Sequence, residues 1–449
     1  MKVKRLKKNE KKHCTNCGTE LMGTEKFCPH CGNDIRIQEQ KQDKKKNWKK
    51  QTFVIALSLF LLMSVVIVHF YQKEQEAKNY LAVVENEEGK YGVINAKGEY
   101  VVPCDYNKIS IENDKIIVRV EEEDDEYKYG IVDKTGREIL ECKYSYMRVG
   151  ENGIITVIEN DKSKFINENG KKVIEKEYYR ASPFGKKNLA AVQEKENGWN
   201  WGFINEEGEE VIPCEYESVG EFSESGLAAA AISGEDGMRW GFINEKGEEV
   251  IPFEYDDVTM FSENGLAGVA KEAGEGEDGE ILYKWGFINW RNEEVIPFEY
   301  DYVYEEFNDD GVIPVGKEVE EDEGSEYVFG AIDDSGEEVI PMEYDWSLLV
   351  PKWSKESKYL RFYGYEYARK KYGVIYIDKN GTVLPFVDEE SYDYGSIFGE
   401  NGWAAVGIER EDSSEDNTRY TCSYINESGF EVLNLPEEIV WADAFVRIE

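Results

Sequence analysis

One pentapeptide recurs along the chain and constrains its fold more than any other feature. Trp201-Gly202-Phe203-Ile204-Asn205 returns as Trp240-Gly241-Phe242-Ile243-Asn244 and as Trp285-Gly286-Phe287-Ile288-Asn289. Weaker copies begin at Tyr91, Tyr129, Phe329 and Tyr372, and two copies at Ser163 and Cys422 lack the glycine. The nine equivalent positions advance by 38, 34, 38, 39, 45, 44, 43 and 50 residues. A fixed period of this size marks a repeat architecture, in which each unit buries its apolar face against its neighbours.

Each unit reads as short strands. An apolar run such as Leu227-Ala228-Ala229-Ala230 precedes the aromatic-Gly strand. The glycine there predicts close approach by a neighbouring backbone or ring. Asn205-Glu206-Glu207-Gly208 predicts a tight turn ending at positive φ, where the sixth unit has Asn292 instead of glycine. A third strand follows, as in Glu210-Val211-Ile212-Pro213, and seven of the 11 prolines occupy that last position. Proline has no donor, so it is expected at a strand end or sheet edge. A tyrosine stands three residues on, at Tyr106, Tyr216, Tyr255, Tyr300 and Tyr344, with Tyr144 and Tyr178 in the same place. Segments such as Ser218-Val219-Gly220-Glu221-Phe222 predict a fourth strand. The repeated aromatics keep strict register with the turn glycines and so read as core rather than ligand platforms.

The fold class expected is therefore an all-β tandem repeat array of antiparallel three- or four-stranded units over residues 80–449. Two architectures fit. A unit of about 40 residues and four strands suits a β-propeller, whereas an open β-solenoid accommodates nine copies and drifting lengths more easily. Unit length favours the propeller-like form. The W-G-F-I-N…G-E-E-V-I-P-x-E-Y pattern resembles the bacterial WG-repeat family over most of residues 80–435. The resemblance implies a β-rich repeat protein, often displayed at the bacterial surface, with no enzymatic activity to carry over.

The N-terminal segment is of another kind. Cys14-Thr-Asn-Cys17-Gly18 and Cys28-Pro-His-Cys31-Gly32 form two C-x-x-C-G knuckles. Four thiolates at this spacing suit one tetrahedral Zn²⁺, and a complete set of four leaves no open position, so the ion is structural. His30 is not expected to be a ligand. Residues 13–35 bury too little to fold without the metal. They resemble the small bacterial zinc ribbons found ahead of a single membrane span.

Such a span is read at residues 53–70, FVIALSLFLLMSVVIVHF, which carry no Asp, Glu, Lys or Arg. As a helix they cover about 27 Å, close to the hydrocarbon thickness. Lys44, Lys45, Lys46, Lys49 and Lys50 precede the span, which places the N-terminus in the cytoplasm and the repeats outside. The organisation expected is a basic tail (1–12), the zinc ribbon (13–35), a basic juxtamembrane linker (36–51), the transmembrane helix (52–71), a short linker (72–79) and the repeats (80–449). The implied setting is the bacterial cell membrane.

Charge follows this division. Residues 1–50 hold 15 Lys/Arg against 6 Asp/Glu, and residues 51–449 hold 38 against 87. So acidic a surface excludes a cationic nucleic-acid binder for the bulk of the chain. No histidine lies beyond His69, which removes histidine-based catalysis from the repeats. No nucleophile elbow or phosphate loop is present, and carboxylate pairs arise throughout by chance. Cys104, Cys142 and Cys214 occupy positions held elsewhere by Phe253, Phe298 and Met342, as buried apolar filler would. The expected function is that of a membrane-anchored, non-enzymatic binding or scaffold protein, with an unidentified protein or cell-wall partner and no catalytic residues. An extracellular carbohydrate-active enzyme is the alternative, and it requires one deep cleft holding a carboxylate of raised pKa. A nucleic-acid role for the basic zinc ribbon is a third, weaker reading.

Overall fold

The computed structural model describes residues 12–14, 16–22, 24–35 and 77–448, apart from 123–125, 196–197, 235–236, 277–280, 308–310, 322–323, 346–358, 367–370, 379–381, 383–391, 411–412 and 414–417. The expected membrane segment at 53–70 and the lysines before it lie outside the described residues. Among the described residues, no helix is long and apolar enough to cross a membrane. The chain divides into two compact units, Met1–Glu76 and Ala77–Glu449.

In the second unit the repeats build nine antiparallel sheets in chain order. The fifth sheet shows the plan: Ser218–Val219, Leu227–Ser233, Met238–Asn244 and Glu249–Tyr255 form a four-stranded meander. The expected fourth strand is present, but its place differs from the sequence reading. Ser218–Val219 pairs forward with Ala230 and Ala231 and so opens the next sheet instead of closing its own. One polar residue, Glu217, separates it from the last strand of the fourth sheet, Glu210–Tyr216. The chain thus passes from the fourth sheet to the fifth with almost no loop.

The Trp-Gly signature is explained by register. Trp240 pairs with Tyr255 and Phe242 with Ile251, so four residues of the last strand are spanned where the aromatic strand spans two. The same offset recurs at Trp201/Tyr216 and Trp285/Tyr300. The surplus residues, Pro252 among them, form a bulge that folds over Gly241. A Cβ there would lie 2.5 Å from the Ile251 carbonyl oxygen and 2.9 Å from Pro252, so only glycine fits. Pro103, Pro213, Pro252, Pro297 and Pro341 therefore sit inside the last strand and not at its end, while Pro436 follows Glu431–Asn434. That strand is the sheet edge, and a bulged edge position needs no ladder donor.

Each turn begins with Asn or Asp. Asn244 Oδ1 accepts the Lys246 and Glu248 amides, and Asn205, Asn289, Asp333 and Asn426 do the same in their units. The side chain replaces a backbone partner and fixes the turn.

Nine apolar clusters lie between successive sheets. Leu227, Phe242, Ile251 and Tyr255 of the fifth sheet pack on Ala267, Val269 and Ile288 of the sixth, for example. Aromatic pairs staple neighbours together: Phe203–Phe222, Phe242–Phe261 and Phe287–Phe307 have ring centroids 4.8, 4.7 and 5.1 Å apart. Full burial of each such ring contributes about 1.5–3 kcal/mol.

The series closes on itself. Tyr80–Asn86, the first strand of the first sheet, pairs with Ile439–Ala442 and with Val446–Arg447 from the end of the chain. Ala82, Val84 and Ile94 pack with Ala405 and Tyr424 of the ninth sheet, and Phe445 stacks on Tyr424 at 4.6 Å. Among the described residues, the apolar clusters join each sheet to the next and the ninth to the first.

Candidate metal centre

The first unit is organised around the two knuckles. Lys12–His13 pairs with Glu20–Leu21 as a two-stranded ribbon, and Phe27 bridges to Asp34. In each knuckle the glycine amide returns to the first cysteine carbonyl, Gly18 to Cys14 at 2.8 Å and Gly32 to Cys28 at 2.9 Å. Gly18 and Gly32 have φ of 78° and 72°, the left-handed conformation this turn requires. The two halves are thus near-copies that present their sulfurs to one point.

All four sulfurs, of Cys14, Cys17, Cys28 and Cys31, lie within 4.8 Å of one another. Cys14 and Cys31 are 3.7 Å apart and Cys17 and Cys28 3.6 Å apart, far longer than a disulfide bond of about 2 Å. His30 is exposed and outside the cluster. Cys14 and Cys28 pack with Leu21 and Ile35, which form the apolar core of the module among the described residues. The thiols are not equivalent. A hydrogen bond from Thr19 brings Cys17 down to about 6, and contacts with backbone amides lower Cys14 as well. Cys28 is raised to about 11 in the company of the other sulfurs: amide contacts at Cys31 and His30 favour its thiolate, and desolvation with Cys17 and Cys31 outweighs them. An arrangement that favours thiolate at some sulfurs and penalises accumulated negative charge at others fits a divalent cation at the centre.

In the ring, Cys104, Cys142, Cys214 and Cys422 are outside any disulfide. Cys214 and Cys422 are buried, with the Cys214 thiol donating to the Val192 carbonyl at 3.6 Å, and desolvation raises Cys104 and Cys142 to about 11, so the last two are held protonated as packing groups. Where the ring closes, a polar cleft of about 250 Å³ is lined by Glu85, Glu87, Glu88, Tyr420 and Trp441. Arg410 pairs with Glu87 there at 2.8 Å. Asp257, whose carboxyl is raised by desolvation, lies in the sixth sheet, away from that cleft in the first.

The fold and the knuckles together define an all-β repeat protein with a four-cysteine cluster that could hold a metal ion. Across residues 91–347 the chain belongs to the WG-repeat family: the model of the WG containing repeat matches at 91–123, 129–162, 165–199, 201–234, 240–273, 285–318 and 329–347. Two further units follow, in the sheets of Tyr359–Glu366 with Lys371–Asp378 and of Tyr394–Asn434. No curated protein matches the sequence. Among solved structures, one titled as a crystal structure of the eukaryotic initiation factor is similar at a TM-score of 0.56 and 11% identity, covering 81% of this chain and 98% of that one. At that identity the likeness is one of fold alone. A dipeptidyl peptidase 4 from Porphyromonas gingivalis matches at a TM-score of 0.41 and 11% identity, over 81% of this chain and 58% of that one.

Proposed function

We propose that this chain is a membrane-anchored, non-enzymatic binding or scaffold protein of the bacterial surface, with a propeller-like ring of nine WG-type blades outside and a structural zinc ribbon in the cytoplasm. The cyclic packing of the sheets favours a propeller over an open solenoid. One observation carries the functional reading. The residues that recur among the units are spent on construction: the tryptophan pairs with the tyrosine, the glycine admits the bulge, the Asn or Asp closes the turn, and the phenylalanines staple adjacent sheets. Among the described residues, the parts that vary between units include the turns, where Glu207, Lys246 and Arg291 are exposed. A rigid ring with variable, acidic outer parts suits display to a partner, and the charge favours a cationic one.

For the ribbon, zinc is the ion the geometry fits. Tetrahedral coordination with Zn–S bonds of about 2.3 Å separates the sulfurs by roughly 3.8 Å, against the observed 3.6 and 3.7 Å. The span at 53–70 and the lysines before it support the orientation.

The ring has its own closed core within Ala77–Glu449 and can be tested as a soluble fragment. Co-sedimentation of residues 77–449 with purified cell wall, at low and high salt, separates the partner classes. Binding that survives salt supports a wall-recognising scaffold. Absence of binding at both salts removes the wall version and directs cross-linking in intact cells toward a protein partner. Hydrolysis of the wall material would overturn the non-enzymatic reading.

A further inference from the structure

Between the third and fourth sheets, the usual treatment of the closing tyrosine breaks down. Tyr216 donates its hydroxyl to the Gly247 carbonyl at 3.3 Å, and Tyr255 donates to Asn292 Oδ1 at 2.6 Å. Each reaches the turn of the following unit. Tyr178 stands in the same register, opposite Ser163 as Tyr216 stands opposite Trp201. It is 1% exposed, yet its hydroxyl has no hydrogen-bond partner. A buried hydroxyl in that condition calls for a physical reason, and an ion or water is one.

The groups around it supply that reason. Glu194, Glu210 and Cys214 each offer one ligand atom, and the three atoms lie within 4.8 Å of one another. Cys214 and Tyr178 belong to one buried cluster. Burial raises the Tyr178 hydroxyl, Lys176 opposes this, and Glu194, Cys214 and Glu210 add to it, so the hydroxyl lies in the field of all three donors. Lys176 bonds Glu194 from the solvent side and balances its charge when no ion is bound.

The repeat itself does not produce this set. In the next two sheets the counterparts of Cys214 are Phe253 and Phe298, and those of Glu194 are Ile232 and Lys271, by register with the tryptophans.

We propose that Glu194, Glu210 and Cys214 form a second metal site, distinct from the four-cysteine centre, for a borderline divalent cation of the Zn²⁺ class. One thiolate with two carboxylates selects such an ion over Mg²⁺ or Ca²⁺, which take oxygen ligands alone. Three protein donors leave one tetrahedral position for water, and the unpartnered Tyr178 hydroxyl belongs to the same buried cluster as Cys214. Binding releases the Cys214 thiol proton to solvent and changes no oxidation state.

The test counts zinc per chain. The full chain is reduced, incubated with Zn²⁺, freed of unbound metal and assayed by elemental analysis. Glu194→Gln and Cys214→Ser are each expected to hold one zinc fewer than the wild type, and Cys104→Ser the same number. Cys14→Ser combined with Glu194→Gln is expected to lose both ions. Equal zinc in Glu194→Gln and the wild type overturns the proposal. Glu194 is at the cluster's edge and its removal leaves the core intact, so that variant decides even if Cys214→Ser fails to fold. Circular dichroism verifies the fold of each variant.

Discussion

At the level of single residues, the turn position held by glycine in most units and by Asn292 in the sixth separates two contributions. Asn292 has φ of 61°, and its Oδ1 accepts the Tyr255 hydroxyl across the sheet interface. Asn292→Gly keeps the conformation and loses the hydrogen bond, a cost of about 0.5–1.5 kcal/mol. Asn292→Ala loses the bond and adds left-handed strain of about 1–2 kcal/mol. Chemical denaturation should therefore rank wild type above Asn292→Gly and that above Asn292→Ala. The Trp-Gly glycine is stricter. Gly241→Ala places a methyl 2.5 Å from the Ile251 carbonyl and must displace the bulge, which predicts a loss of about 1–3 kcal/mol in the same measurement. Both positions were legible in the sequence, because a turn and a close approach each leave a residue-type signature at a fixed offset. The bulge itself was not legible. Proline at Pro252 reads equally as a strand end or a strand bulge until the partner's register is known.

Among the elements, the four-cysteine knuckles were the most legible, since spacing alone brings both sulfurs of a C-x-x-C to one ion. Their folding is expected to depend on that ion, because Cys14, Leu21, Cys28 and Ile35 are the only buried apolar groups of the module among the described residues. Removal of zinc by a strong chelator should abolish the ordered amide signals of residues 12–35 and leave those of the ring unchanged. The acid limit follows from the thiols. Cys17 is lowered to about 6 by Thr19, so its thiolate persists at neutral pH and takes up a proton as pH falls through that value. Acid should therefore release zinc, read with a colorimetric chelator, as the thiolates take up protons. Thr19→Val removes the hydroxyl and should move the release to higher pH. The phenylalanine staples were less visible. Phe222 stands 19 residues after Phe203 and was read with a strand end, because no short-range period links the two rings.

For the whole molecule, the decisive feature is one the repeat motif does not encode. The number of units could be read from the period, but closure depends on Ile439–Ala442 and Val446–Arg447, which carry no copy of the signature and pair with the first repeat strand some 360 residues earlier in the chain. An open array and a closed ring respond differently to loss of this end. In an open stack, removing the last segment frays one terminal unit and leaves the others near their original stability. In a ring it exposes both faces of the seam: Leu81 and Val83, which pack with Ile448, and Ala82 and Val84, which pack with Ala405, Tyr424 and Phe445. Residues 77–434 should therefore show a lower unfolding midpoint throughout the array, with hydrogen exchange accelerated in the first and ninth sheets together. Restoring the missing segment as a separate peptide should recover part of that protection, since its partners are already arranged along Tyr80–Asn86. Faster exchange confined to the ninth sheet would instead describe an open array, in which the contact between Phe445 and Tyr424 does not hold the first and last sheets together.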